Sequence, residues 1–156
     1  MLVKANSSSE IVRAAVDDLN SRTFRKHASL FVVQCKKTKR ILVVKRFKDD
    51  QIGLPCGKID AEETPYEAAC RELYEETGVS QHSFCTPVRH IDSISFEGTL
   101  VHIFKTEIEV EQAAIGPAPG FEKETSPQWM TLEELIKVES RFTSFNIVAL
   151  HKSGLI

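Results

Sequence analysis

The segment that decides the fold of this chain is GKIDAEETPYEAACRELYEETGV, which runs from residue 57 to residue 79. Its middle carries the signals that begin a helix, with Thr64 as a capping residue and Pro65 at the first helical position. Glu67, three residues after Thr64, completes a capping box, and Gly78 suits the position just past the last turn. We therefore predict a helix from Thr64 to Thr77.

Three glutamates of this helix fall on one face. Glu72, Glu75 and Glu76 are spaced i, i+3 and i+4, so their carboxylates lie close together. Like charges at this spacing destabilise a helix by about a few tenths of a kcal/mol per pair. A hard cation such as Mg²⁺ or Mn²⁺ would offset the repulsion because it prefers carboxylate oxygens, whereas a solvated acidic face would need no ligand. The spacing alone leaves both interpretations open.

Composition and charge exclude several classes of protein. The chain has 156 residues, and no repeat or linker divides residues 1–156, so we expect a single domain. A formal net charge of −2 gives no basic surplus of the kind that binding to nucleic acid requires. The longest apolar runs are too short to cross a bilayer, and the first nine residues lack the apolar core of a secretion signal. We expect a cytoplasmic monomer or homodimer with reduced cysteines and no membrane partner.

Strands are predicted on both sides of the acidic segment. Residues 28–35 and 40–45 are rich in β-branched and aromatic side chains and predict a hairpin. Residues 88–96 and 100–110 predict a second strand pair. Three prolines and two glycines in residues 116–127 predict an exposed loop, and a short strand is expected at residues 128–130.

Local start and stop signals predict three more helices. One begins after Ser7, a short one begins after Thr131, and the last runs from about Thr143 to Lys152 and ends before Gly154. Strands outnumber helices, and the helices separate groups of strands. This order predicts an α+β fold arranged as an α/β/α sandwich.

The acidic segment resembles the signature of the Nudix hydrolases, and in particular of their MutT-like group. That signature is Gly-x5-Glu-x7-Arg-Glu-U-x-Glu-Glu-x-Gly-U, where U is apolar. Gly57, Glu63 and the run from Arg71 to Val79 match it at every specified position. Nine matches at fixed spacing arise by chance in roughly one of ten million sequences, so chance does not explain the match. Cys56 departs from the pattern, because many members carry glycine there.

The resemblance implies a Nudix-type α/β/α sandwich with a mixed central sheet. It implies hydrolysis of a pyrophosphate linkage in a nucleoside diphosphate linked to another group, of the nucleoside triphosphate or nucleotide sugar type. Mg²⁺, or Mn²⁺, is the implied cofactor, with Glu72, Glu75, Glu76 and the carbonyl of Gly57 as its ligands. The same three carboxylates follow from the spacing on the helix face.

The resemblance also implies catalytic roles for residues around the metal. Glu72 and Glu63 match the positions most often discussed for the general base, and Arg71 matches a residue that orients a glutamate. Some family members instead use an acidic residue from a later loop, and Glu122 and Glu124 lie in a comparable stretch.

Substrate contacts lie mostly outside the signature. Candidates for phosphate binding are Arg46, Lys58 and Lys45, which as solvated strand-end charges would need no ligand. Candidates for stacking on a base are Phe47, Phe121 and Trp129, each of which would otherwise pack against the core. The histidines show no metal-ligand spacing and are predicted to be surface or core residues: His27, His90 and His102.

Two alternative functions remain open at this point. An RNA cap or RNA 5′-end pyrophosphohydrolase is the other enzymatic interpretation, although nucleic acid is disfavoured as a partner by the acidic balance. A nucleotide-binding module that kept the fold without turnover is the non-enzymatic one, and against it stands the complete set of carboxylates.

Overall fold

The structure is a computed structural model that describes residues 11–12, 14–15, 26–111 and 116–156. Residues 11–12 and 14–15 are helical, whereas the predicted cap at Ser7 lies outside the described residues. None of the helices in the described ranges is both long enough and apolar enough to span a bilayer.

Seven strands form one mixed sheet: β1 (Lys26–Cys35), β2 (Ile41–Arg46), β3 (Ile52–Gly53), β4 (Cys56–Lys58), β5 (Arg89–Phe96), β6 (Thr99–Ile108) and β7 (Thr125–Met130). Their order is β3-β2-β1-β6-β5, with β4 paired to β1 and β7 to β2. β1 runs parallel to β6 along its whole length, and the other pairs are antiparallel. The mixed central sheet is as predicted.

Helices cover both faces of this sheet because side chains alternate along β1. Leu30 and Val32 pack in one buried cluster with Phe145, whereas Phe31 packs in another cluster with Leu73. The first cluster lies under the helix at residues 143–152 and the second under the helix at residues 65–77. This arrangement confirms the α/β/α sandwich, whose helices are α1 (Pro65–Thr77), α2 (Leu132–Lys137) and α3 (Thr143–Lys152).

The limits of α1 agree with its local signals. Thr64 accepts a hydrogen bond from the N–H of Glu67, and the Glu67 side chain accepts one from the N–H of Thr64, so the capping box is formed. At the other end, Gly78 adopts the left-handed conformation with φ of 77° and donates its N–H to Tyr74. A side chain at residue 78 would be strained in that conformation, so the helix ends where glycine stands.

The prediction of an exposed loop over residues 116–127 is wrong in two respects. The loop ends earlier than predicted, and part of it is buried. β7 begins at Thr125, and Pro127 lies inside it opposite Val44. Proline is tolerated there because β7 pairs only with β2 among the described strands, so its other edge needs no N–H donor. Ala118 is buried, and its N–H donates to the carbonyl of Glu75 at 3.1 Å, which holds the loop against the end of α1.

Candidate active site

The backbone of β4 meets two glutamates of α1. The N–H of Cys56 donates to Oε1 of Glu76 at 2.9 Å. A Cβ built on Gly57 would lie 2.0 Å from the carboxyl carbon of Glu72, so residue 57 has no room for a side chain while Glu72 keeps this position. The tertiary structure therefore brings the carboxylates of Glu72 and Glu76 to one short stretch of backbone.

Arg71 forms hydrogen bonds to three glutamates of the site. Its Nε and Nη2 donate to the two oxygens of Glu63 at 2.7 and 3.0 Å, which is a bidentate pair. Its Nη1 donates to Glu72 at 2.8 Å and to Glu75 at 3.2 Å, and its Nη2 also reaches the carbonyl of Lys58 at 2.9 Å. Arg71 therefore fixes two of the helix carboxylates relative to the loop.

Burial disfavours the ionised forms of two carboxyl groups in this site and so raises their pKa values. The pKa of Glu76 is raised to about 8, first by burial and then by the nearby charge of Glu72. Burial also raises the pKa of Glu72, although the hydrogen bond from Arg71 opposes the shift. In contrast, the hydrogen bond from Arg71 lowers the pKa of Glu63. A cation beside Glu72 and Glu76 would stabilise their charged forms.

The donor set fits a hard divalent cation. Glu72 and Glu76 bring carboxylate oxygens, which hard cations prefer, to the Cys56–Gly57 backbone, and the Cys56 thiol lines the adjoining space with Glu76. Within the described part of the chain, no group of three or more acidic, histidine or cysteine side chains is arranged so that it could hold a metal ion by itself. Mg²⁺ usually keeps several waters and takes one or two protein carboxylates together with substrate phosphates, so an open site suits it.

A wide cleft of about 600 Å³ opens at Glu76. Arg46, Lys48 and Lys123 line it, so three cationic side chains surround a space that begins at the half-buried Glu76 carboxylate. Phe47 and Glu124 also line the cleft, and the Phe47 ring is 52% exposed and therefore free to contact a ligand. Of the predicted substrate and loop residues, the structure thus brings Arg46, Phe47 and Glu124 to Glu76.

Other predicted residues are placed elsewhere. The Trp129 indole donates to the carbonyl of Glu111 at 3.2 Å and packs against the buried cluster under α1, so it does not line the cleft. Lys58 contributes its carbonyl to Arg71, while its side chain is exposed outside the cleft lining. Lys45 pairs with Asp50 at 3.0 Å, and the Glu122 carboxylate accepts the N–H of Gly120.

The predicted general bases differ in their surroundings, and the histidines form a separate group. Both oxygens of Glu63 are held by Arg71, whereas Glu124 is exposed at the edge of the cleft. His27 and His102 stack on each other, and Ser93 lies within hydrogen-bond distance of both His102 and His90.

Sequence reasoning missed a second, smaller cavity of about 130 Å³ that shares Glu76 with the cleft. Asn146 of α3 lines it and is 1% exposed. A signal was present in the sequence, because Asn146 shares a helix face with Ala149 and Leu150, both fully buried. A polar residue on a buried helix face calls for a partner.

Comparison with known proteins identifies the family. The family model described as NUDIX domain matches residues 24–150 of this chain. The chain belongs to the Nudix hydrolase family. The match covers most of the chain, including all seven strands, the acidic helix and the loop that contacts it.

Two curated relatives and one solved structure show how far the likeness of this Nudix hydrolase extends. It is 33% identical over 91 residues to an RNA pyrophosphohydrolase of Rhizobium meliloti (strain 1021), covering 49% of this chain and 54% of that relative. The chain thus spans about half the length of that protein. This chain is also 30% identical over 122 residues to phosphatase NudJ of Shigella boydii serotype 4 (strain Sb227). That likeness covers 75% of this chain and 76% of that relative.

The fold is shared with a solved MutT structure from work on the Aliivibrio salmonicida and Vibrio cholerae proteins. The TM-score is 0.60 at 19% identity, with 84% of this chain and 98% of that chain covered. At this identity the likeness establishes the fold of the Nudix hydrolase and no more.

We predict that Arg71→Lys lowers the activity of this Nudix hydrolase by about ten- to a hundredfold, the usual effect of losing a residue that orients metal ligands. Lysine keeps the charge but lacks the planar fork that holds Glu63 while also reaching Glu72. The melting temperature should fall by about 2–4 °C for each kcal/mol of stability lost.

Steady-state kinetics and thermal melts measure both effects. The matched control is Arg89→Lys, which makes the same change at an exposed strand end. Equal activities of the Arg71 variant and the control would contradict the positioning role of Arg71.

Proposed function

We propose that this protein hydrolyses a pyrophosphate linkage in a nucleoside diphosphate linked to another group, with Mg²⁺ or Mn²⁺ as its cofactor. The observation that carries the proposal is the meeting of Glu72 and Glu76 with the β4 backbone, at the entrance to a cleft lined by three cations. A polyphosphate chain needs cationic partners along its length and a carboxylate-bound metal at the bond that breaks.

The residues that would hold the metal are Glu72, Glu75, Glu76 and the carbonyl of Gly57. When bound, the ion would neutralise diphosphate charge and lower the pKa of a water that attacks phosphorus. Arg71 holds Glu72 and Glu75 in position, and Arg46, Lys48 and Lys123 bind and orient the phosphates in the cleft.

Proton removal from the attacking water requires a carboxylate with a free oxygen. Both oxygens of Glu63 accept hydrogen bonds from Arg71, so we assign Glu63 a positioning role. Glu72 lies at the β4 backbone and Glu124 lines the cleft, and these two are our candidates for the general base.

The preferred substrates are nucleoside triphosphates or nucleotide sugars, small enough for a cleft of about 600 Å³. Likeness to a protein named RNA pyrophosphohydrolase favours RNA 5′ ends as a second candidate, which the net charge of −2 disfavours. A cytoplasmic location and a single domain acting as a monomer or homodimer remain predictions.

The experiment is a substrate panel in Mg²⁺ buffer, with dNTPs, nucleotide sugars, ADP-ribose, NADH, dinucleoside polyphosphates, and triphosphorylated and capped RNA. We expect released phosphate or pyrophosphate from a small nucleotide, and complete loss of that release in EDTA with recovery on adding Mg²⁺. Carboxylate oxygens prefer hard cations, so added Mg²⁺ should restore what EDTA removes.

Three results would contradict the proposal. Full turnover in EDTA would exclude the metal, preferred turnover of RNA would favour the second candidate, and absence of turnover across the panel would favour a binding module.

A further inference from the structure

Arg46 stands at the boundary between the cleft and the smaller cavity, because it lines both spaces. It is the last residue of β2, and its side chain is 33% exposed. A long side chain loses rotamer freedom when it is fixed on a ligand, and this loss weakens binding. A guanidinium that is already held in place before the ligand arrives therefore binds that ligand more tightly.

Two side chains contact the Arg46 guanidinium and leave different parts of it available. The Asp49 carboxylate pairs with its Nη2 at 3.2 Å, and the guanidinium carbon lies over the Phe142 ring, 5.3 Å from the ring centre. The carboxylate neutralises positive charge and occupies a donor, whereas a ring face attracts the cation without accepting its N–H groups at the edge. Phe142 therefore restrains Arg46 and leaves the donors of the guanidinium for a phosphate.

The Phe142 ring is itself held in place by strand β3. The Oγ of Ser140 donates to the carbonyl of Ile52 at 3.0 Å and accepts the N–H of Phe142 at 3.0 Å. Gly53 leaves room for the ring, since a Cβ built there would lie 3.3 Å from Cδ2 of Phe142. Phe96 packs against the ring, with the two centroids 5.8 Å apart. A ring fixed in this way can restrain a cation, whereas a mobile ring could not.

A second arginine contacts the same ring without reaching the cleft. The guanidinium of Arg141 lies over Phe142 at 5.0 Å from the ring centre, and it pairs with Glu97. Arg141 lines neither the cleft nor the smaller cavity. Both arginines gain stability from the ring, but a contribution of the ring to phosphate binding would pass through Arg46.

We propose that Phe142 is a positioning residue for phosphate binding, which holds the Arg46 guanidinium at the mouth of the cleft through a cation–π contact. The inference rests on the proposed function, because the phosphates of the substrate would occupy the cleft beside Arg46. Phe142 acts through Arg46 and does not bind phosphate itself. Loss of the ring therefore weakens phosphate binding by releasing the guanidinium, while the positive charge stays in the protein.

The test measures binding of inorganic pyrophosphate by calorimetry in EDTA, so that neither metal nor turnover takes part. Phe142→Leu removes the ring and keeps an apolar side chain. We expect this variant to bind pyrophosphate about fivefold more weakly than the wild type, the value of a partly exposed cation–π contact. Phe142→Tyr keeps a ring face and should keep the wild-type affinity.

A double-mutant cycle separates positioning from a general effect on the fold. Arg46→Met removes the charge and keeps a long side chain, and it should weaken pyrophosphate binding by about tenfold or more. Adding Phe142→Leu to Arg46→Met should weaken binding no further, because the ring has no guanidinium left to hold. A merely structural role of Phe142 would lower the affinity by the same factor in both backgrounds.

Two variants serve as matched controls. Phe96→Leu removes a ring that packs against Phe142 and does not line the cleft. Arg141→Met removes the other cation from the Phe142 ring. Both variants should lower the melting temperature and keep the wild-type affinity for pyrophosphate. If Phe142→Leu does not fold, Phe142→Met takes its place in the cycle, because methionine adapts its shape to an irregular gap.

Four results would overturn the inference: equal affinity of Phe142→Leu and the wild type, the same fold-loss in both backgrounds of the cycle, a loss in Phe96→Leu as large as that in Phe142→Leu, or absence of pyrophosphate binding by the wild type. These results do not depend on hydrolysis. Coupled binding without turnover of any substrate refutes only the proposed reaction, whereas turnover in Mg²⁺ without coupling refutes only the role of Phe142.

Discussion

Replacing Glu76 by glutamine is expected to lower kcat/KM by about a thousandfold or more while the protein stays folded. Stabilisation of phosphate charge by a bound metal is worth several kcal/mol, and each 1.4 kcal/mol is about tenfold in rate. Glutamine keeps the size and helix propensity of glutamate but weakens a metal ligand. Stability should hold or rise, because glutamine carries no charge that desolvation and the neighbouring Glu72 carboxylate would disfavour.

The measurement combines steady-state kinetics with thermal melts in the presence and absence of Mg²⁺. A ligand that binds only the native state raises the melting temperature, so the wild type should gain stability with Mg²⁺ and Glu76→Gln should gain less. Glu62→Gln is the matched control, since it makes the same change at an exposed position of the same segment. Retained turnover together with an equal gain from Mg²⁺ would falsify the metal-site assignment.

Gly57→Ala should lower activity by about a hundredfold or more with little loss of stability. The new Cβ would stand 2.0 Å from the carboxyl carbon of Glu72, so that carboxylate must move away from the β4 backbone. The backbone at residue 57 is outside the left-handed region, and alanine introduces no strain there. Displacement of a catalytic group by about 1 Å is enough to cost roughly a hundredfold in rate.

Gly98→Ala provides the opposite result as a control. Gly98 lies in the turn between β5 and β6 with φ of 81°, and no atom lies within 4 Å of an added Cβ. Alanine there should lower the melting temperature through backbone strain of about 1 kcal/mol and leave kcat unchanged. If Gly57→Ala also lost only stability and kept its kcat, the close approach of residue 57 to Glu72 would have no catalytic meaning.

Local signals explain why the helices were predictable. The capping box at Thr64, the proline after it and the glycine at residue 78 act within one or two turns, so α1 has the predicted limits. The same holds for α2, whose capping box at Thr131 is formed, whereas α3 begins without a side-chain cap. The hairpin of β1 and β2 is equally local, because a short polar turn joins its strands.

Strand order and strand limits depended on distant partners. The parallel pairing of β1 with β6 joins Lys26 to Thr99, and nothing near either residue specifies the other. Pro127 favoured a loop, yet it lies in β7 because β2 supplies a pairing edge that leaves the missing N–H of proline unneeded. Burial of Ala118 follows from the same docking of the loop against α1.

The sequence by itself determined which carboxylates share a helix face, because the spacing of Glu72, Glu75 and Glu76 within α1 is a property of 3.6 residues per turn. The tertiary structure alone decided what meets that face: the Cys56–Gly57 backbone, the cationic cleft and the cavity that holds Asn146. It also placed Trp129 against the core, away from the cleft. The spacing of side chains around a helix is set by residues that are neighbours along the chain, whereas cavities arise from the packing of elements that are remote in sequence.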